Sequence, residues 1–203
     1  MNPHNVTVDF ERALCDYTGA PYAVATTSCT MALLLACSYL LRDHKGKVIE
    51  IPKRTYVGVP MSIFHAGGRP TFRDEQWSGA YQLSPLPVWD CARRFTGGMY
   101  VPGQFQCVSF HAAKILGDTQ GGAILHDDID ADAWFRRARF DGRTQGVVPC
   151  EDTFHMIGWH AYLSPDVAAR LLFKLSVLPA HNDDLPWDDY PDLSVAPVFQ
   201  YRR

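Results

Sequence analysis

Val6, Phe10, Leu14 and Tyr17 recur at helical spacing and Gly19 follows as a stop, which predicts an opening amphipathic helix. The apolar run at residues 22–25 is short. It leads into Thr26-Thr-Ser-Cys-Thr-Met-Ala-Leu-Leu-Leu-Ala36, a hydroxyl cluster followed by strong helix formers. Residues 48–51 read as a short strand, and residues 52–68 as a loop and helix closed by a double glycine. Residues 86–90 form a brief strand ending in Asp90, and residues 106–110 a short buried one. After a polar loop with Gly117, Gly121 and Gly122, the apolar pattern resumes at residues 123–125. The acidic run at 126–132 reads as an N-cap and first turn of a helix over 134–139, and residues 164–178 as a last helix, with Ser164 as cap and Pro165 in its first turn. Residues 179–203 hold four prolines and no helical period.

At 203 residues and 47% hydrophobic, one substantial core is expected. The 19 basic and 22 acidic residues leave a net charge of -3 without a Lys/Arg block, so no nucleic-acid or membrane surface is advertised. The apolar run at 31–41 is too short to span a bilayer and the N-terminus lacks a signal-peptide pattern, so a soluble, cytoplasmic protein is expected. The six cysteines lie at irregular spacing without a CxxC pair, which suits buried reduced thiols better than zinc ligands or disulfides. The 126–132 carboxylates lack the glycine of a calcium loop, and Arg139 stands where its bidentate glutamate would be, so no metal site is expected.

Lys114 lies in the polar loop among Phe110, Ala112, Ala113, Ile115 and Leu116. An isolated lysine there reads first as a snorkelling side chain. Partly desolvated, it would have a lowered pKa and a neutral amine able to attack a carbonyl, as in Schiff-base chemistry. Ser28, Cys29 and Thr30 open a helix whose unpaired N–H groups could hold phosphate, although a plain N-cap explains the hydroxyls equally. Asp90, at the carboxyl end of a strand, stands where open α/β sheets place ligands, or it caps the next turn.

Ser109-Phe-His-Ala-Ala-Lys114 followed by Gln120-Gly-Gly122 resembles the pyridoxal-phosphate lysine segment of the DegT/StrS nucleotide-sugar aminotransferases, which are fold-type I enzymes. The resemblance implies an α/β fold, a mostly parallel sheet flanked by helices, forming a reduced fold-type I large domain over 1–178 with an extended tail at 179–203. It implies pyridoxal 5'-phosphate as cofactor, with Lys114 as Schiff-base lysine and Asp90 facing the ring nitrogen. Ser28-Cys29-Thr30 is similar to the family's Ser-Gly-Thr phosphate turn, with cysteine at the glycine position, so its backbone must avoid a glycine-only angle. Arg54-Thr-Tyr-Val-Gly58 resembles the segment that lays an aromatic ring on the cofactor, making Tyr56 the stacking candidate, an interaction of roughly 0.5–1.5 kcal/mol beyond burial. Residues 69–74 resemble the family's next short strand. Asp90-Cys-Ala-Arg93 resembles Asp-Ala-Ala-Gln/His, leaving Arg93 for the phenolic oxygen or a surface ion pair, and Ser109 is the implied phosphate contact.

Two departures accompany the resemblance. Only residues 75–86 separate the 69–74 strand from the Asp90 strand, so one β/α unit is expected to be missing or reduced to a loop. Gly158-Trp-His-Ala-Tyr-Leu163 resembles the Gly-x-Asn-Tyr-Arg-Met segment that reaches a neighbouring subunit's phosphate, with His160 in place of asparagine and Tyr162 in place of arginine. At 203 residues, the family's second domain is not expected.

The expected function is a pyridoxal-phosphate-dependent aminotransferase, taking a small-molecule amino donor and a keto-sugar or nucleotide-linked acceptor, and working as a homodimer. The alternatives are a pyridoxal-phosphate dehydratase or decarboxylase on an unusual nucleotide-type substrate, and a non-catalytic subunit derived from such an enzyme.

Overall fold

The computed structural model describes residues 4–186 and 190–200. Helix α1 (Asn5–Thr18) ends as its pattern predicts, with Gly19 left-handed at φ 80° and its amide bonded to the Cys15 carbonyl. It leads to β1 (Tyr22–Thr26), α2 (Cys29–Leu41), β2 (Val48–Pro52), α3 (Gly58–His65) and β3 (Arg69–Arg73). Strands β4 (Tyr81–Gln82), β5 (Val88–Asp90), β6 (Phe105–Ser109) and β7 (Gly122–His126) follow, then α4 (Ile129–Ala138) and α5 (Pro165–Ser176).

Five strands form one sheet in the order β1-β7-β6-β5-β4, and β2 pairs with β3 beside it. Glu50 and Ser84 exchange backbone hydrogen bonds at 2.7 and 3.0 Å, joining the two sheets at the β4 end. The expectation of a mostly parallel sheet is corrected. The β2–β3 and β5–β6 pairs run parallel, whereas β1–β7, β6–β7 and β4–β5 run antiparallel. Parallel neighbours need a crossover of a dozen or more residues, usually a helix, and the 83–87 connection is too short for one.

The segment between β3 and β5 is a loop with one strand in it. The two residues of β4 fill the place between β2 and β5, where the resemblance implies a β/α unit.

Side chains alternate across the strands and build a core on each face. Val24, Phe105, Cys107 and Ile124 pack against α2, α3 and α4. Ala23, Ala25, Val108, Ala123 and Leu125 pack against α1 and α5. Each fully buried Leu or Phe contributes about 1.5–3 kcal/mol by leaving water. α2 is buried along most of its length, as its run of Leu and Ala requires. Asp128 caps α4 through Asp130 and Ala131, whereas the Ser164 hydroxyl turns to Asp166 instead of capping α5.

The C-terminal segment packs on the body. Asp184 accepts from Arg94 Nε and Nη2 at 2.9 and 2.6 Å, the Leu185 amide donates to the Arg93 carbonyl, and Phe199 sets its ring edge-on to Phe72. Among the described residues, no helix is long and apolar enough to cross a membrane.

Candidate active site

A cavity of about 310 Å³ opens where α2, α3 and the ends of β5 and β6 meet. Seven of the nine residues singled out from the sequence line it: Ser28, Cys29, Thr30, Tyr56, Asp90, Ser109 and Lys114.

Ser28 is extended (φ -166°, ψ 162°) and its Oγ accepts the Met31 amide at 3.1 Å, so it caps α2 beside the cavity. Cys29 is the first residue of α2, and a helical backbone asks nothing of glycine. Its thiol points inward, donating to the Cys107 carbonyl at 3.4 Å and lying 4.0 Å from Asp90 Oδ1. Gly122 permits this arrangement. A Cβ there would stand 2.4 Å from both Ser28 C and Cys29 N, so β7 abuts the start of α2 only because the side chain is missing. Gly58 acts similarly on the other side, since a Cβ would meet the Tyr56 ring at 2.7 Å and Thr30 Oγ1 at 2.9 Å. The Tyr56 ring is 55% exposed and so available to a ligand.

Asp90 is buried, and its hydrogen bonds come from neutral donors: the Tyr81 hydroxyl at 2.8 Å and the Ala92 amide at 2.9 Å. Burial pushes its carboxyl above the usual range, against the pull of those bonds and of Lys114 and Arg93. The same burial pushes the Tyr81 phenol and the Cys29 thiol well up, so both stay protonated. Burial, and then the charge of Arg93, holds the Lys114 amine below the usual lysine range. Its loop is tightly wound: a Cβ on Gly117 would meet the Ala112 carbonyl at 2.6 Å.

Arg93 and His160 do not line the cavity. The Arg93 guanidinium lies over the Tyr190 ring at 5.1 Å, and its Nε is buried without a hydrogen-bond partner among the described residues. His160 is largely exposed, with Nδ1 2.9 Å from the Asp141 carboxylate.

Sequence reasoning missed Thr55, Trp77, Gln120 and Tyr190 in the lining, and Tyr81 behind Asp90. Gln120 lay inside the recognised segment, and Thr55 beside Tyr56. Trp77 and Tyr81 were hidden in the 75–86 loop, where two aromatics in a polar stretch were the only signal.

The donor set fits pyridoxal phosphate. Hydroxyls of Ser28, Thr30 and Ser109 stand with the N-terminus of α2 for a phosphate, a buried carboxylate held only by neutral donors suits a cationic ring nitrogen, and a lysine amine of lowered pKa suits an aldehyde.

Residues 3–88 match the DegT/DnrJ/EryC1/StrS aminotransferase family, a stretch that holds Ser28, Cys29, Thr30 and Tyr56 and ends just before Asp90. No curated protein matches the chain. Among solved structures, the sugar aminotransferase CalS13 from Micromonospora echinospora is 20% identical, with a TM-score of 0.73 over 85% of this chain and 60% of its own. PseC of Helicobacter pylori, an aminotransferase of pseudoaminic acid biosynthesis, is 18% identical, with a TM-score of 0.68 over 86% of this chain and 58% of its own. NtdA from Bacillus subtilis, solved with bound cofactor PMP, is 17% identical, with a TM-score of 0.70 over 85% and 48%. The chain thus spans about half to three-fifths of the length of these proteins. Residues 3–88 are thus similar to the DegT/DnrJ/EryC1/StrS aminotransferase family, and the chain carries the fold of its solved structural neighbours over that part of their length.

Proposed function

We propose that this chain is a pyridoxal-phosphate-dependent aminotransferase that moves an amino group from a small-molecule donor to a keto-sugar or nucleotide-linked acceptor. The observation that carries it is that Lys114, in the loop after β6, and Asp90, at the end of β5, line one cavity with the capped N-terminus of α2. Bound there, the cofactor supplies an aldehyde that exchanges amines and a ring that accepts the electron pair left on the substrate Cα.

The chain's own residues do the rest. The α2 amides with Ser28, Thr30 and Ser109 bind the phosphate, and Tyr56 covers a ring face. Asp90 pairs with the ring nitrogen and keeps it protonated. Lys114 is the residue that would hold the cofactor through its aldehyde, and its free amine would carry the proton removed from Cα. Its lowered pKa leaves more free amine near neutral pH than an exposed lysine has. Arg93 stands beside the cluster as a candidate for the phenolic oxygen.

A homodimer completes this reading. Met61, Phe154 and Ile157 are 37%, 57% and 89% exposed, apolar surface that a second copy can cover, and His160 lies on the segment that would approach the neighbour's phosphate. The cysteines are all free, which fits a cytoplasmic setting.

The test is borohydride reduction of the protein after incubation with pyridoxal phosphate, followed by peptide mapping. The adduct is expected on Lys114, with an absorbance band at the visible edge that reduction removes. Lys114→Ala is expected to lose the adduct and to lower turnover by about 10³-fold or more. Adducts on Lys53 or Lys174 instead would reject the assignment, and no adduct would favour a non-catalytic subunit.

A further inference from the structure

The strand that takes the place of the reduced β/α unit carries a residue aimed at the site's carboxylate. β4 and β5 pair antiparallel with Tyr81 directly opposite Asp90, so the two side chains leave the sheet on one face. Tyr81 is only 2% exposed, and Trp77 packs edge-on to its ring at 4.7 Å. Its hydroxyl reaches Asp90 Oδ2 at 2.8 Å and also meets the hydroxyl of Thr55, a residue 1% exposed. A phenol has one proton to donate. With that proton on Asp90, Thr55 is the donor to the phenol oxygen, and the three groups form a directed chain from Thr55 through Tyr81 to Asp90.

We propose that Tyr81, oriented by Thr55, is a positioning residue that keeps Asp90 ionised and its carboxylate fixed beside the cavity. Its relevance to catalysis rests on the reading of the site given above, while the coupling itself belongs to the protein without cofactor. Asp90 lines the cavity and Tyr81 does not, so Tyr81 acts through Asp90.

Cys29 on α2, Cys107 on β6 and Cys91 next along the chain present thiols that burial keeps neutral. Lys114 and Arg93 are the cations that favour the carboxylate, and both act less than the hydrogen bonds from Ala92 and Tyr81. Removing the phenol hydroxyl therefore takes away one of the two short bonds to the charged form and leaves the burial cost in place. Asp90 then takes up a proton from solvent at higher pH, and a neutral acid no longer pairs with a protonated ring nitrogen.

The carboxyl C=O stretch, followed by infrared spectroscopy over a pH titration, tests this on the cofactor-free protein, with Asp90→Asn identifying the Asp90 band. In Tyr81→Phe, which keeps the ring and its packing, the midpoint is expected to rise by about one to two pH units. Thr55→Val is expected to shift it the same way by less, and it serves as the second variant if Tyr81→Phe does not fold. Unmoved midpoints overturn the proposal. In a second measurement, pyridoxal phosphate affinity is titrated against pH. Tyr81→Phe should bind weakly at low pH and recover towards wild type at high pH, whereas a uniform loss at every pH would mark a merely structural role. Wild-type protein that takes up no pyridoxal phosphate would overturn the cofactor reading alone, because the infrared midpoints decide the Tyr81–Asp90 coupling by themselves.

Discussion

The guanidinium of Arg170 grips the buried carboxylate of Asp118, with Nη2 at 3.0 Å and Nε at 3.1 Å from Oδ1. One turn further along α5, Lys174 reaches Asp118 Oδ2 at 2.8 Å and the Gly117 carbonyl at 2.7 Å. Asp118 lies four residues after Lys114, and its own amide bonds back to the Phe110 carbonyl at 2.8 Å. Helix α5 thereby clamps the loop that presents the candidate catalytic amine.

Asp118→Asn is expected to loosen that loop and slow both turnover and borohydride labelling of Lys114 by about tenfold to a hundredfold, the scale of a misplaced reacting group. The hydrogen bonds from Arg170 and Lys174 hold the Asp118 carboxyl well below the usual range. A depressed folded-state pKa means that the contribution is complete above the unfolded value, about 3.9, and is lost as pH falls towards the folded one. Thermal melts should therefore show wild type more stable than Asp118→Asn at pH 7, with the gap closing below about pH 4. A gap unchanged by acid would refute the ion-pair origin.

Asp90→Asn should still bind cofactor through the phosphate contacts, though more weakly than wild type, while the chemical step falls by far more, about 10²–10³-fold for loss of one fixed charge. Single-turnover kinetics beside a binding titration separate the two. Equal rates in both proteins would remove Asp90 from the chemistry.

Gly122→Ala places a methyl group 2.4 Å from the backbone of Ser28 and Cys29, neither of which can rotate away. The start of α2 must move, costing about 1–3 kcal/mol of stability and weakening any phosphate held there. Urea melts and pyridoxal phosphate titration measure the two effects. A variant that keeps full stability and affinity would show the junction to be more compliant than its geometry implies.

Light scattering at working concentration is expected to give twice the monomer mass, since a two-fold pair buries the same apolar patch on each copy. A fully active monomer would sink that expectation. In the dimer, His160→Ala should weaken cofactor affinity without dissociating the subunits. Unchanged affinity would show that His160 has no part in the neighbouring site.

Local chemistry made a large share of this protein legible in its sequence. The period of Val6, Phe10, Leu14 and Tyr17 with Gly19 marked α1, and the hydroxyls before Met31 marked the capped start of α2. The buried strand, glycine-rich loop and second strand around Lys114 appear within a residue of their expected bounds. These features are short-range, because helical period, cap and turn chemistry are written in neighbouring residues. Pairing direction and β4 were not legible, since two residues have no period and strand order depends on what lies across the sheet. Only the tertiary structure put Tyr81 against Asp90, Tyr190 of the C-terminal segment into the cavity wall, and α5 against the Lys114 loop. Each of those contacts joins a charge, a phenol or a ring to a partner that burial selects, and burial is a property of the packed chain.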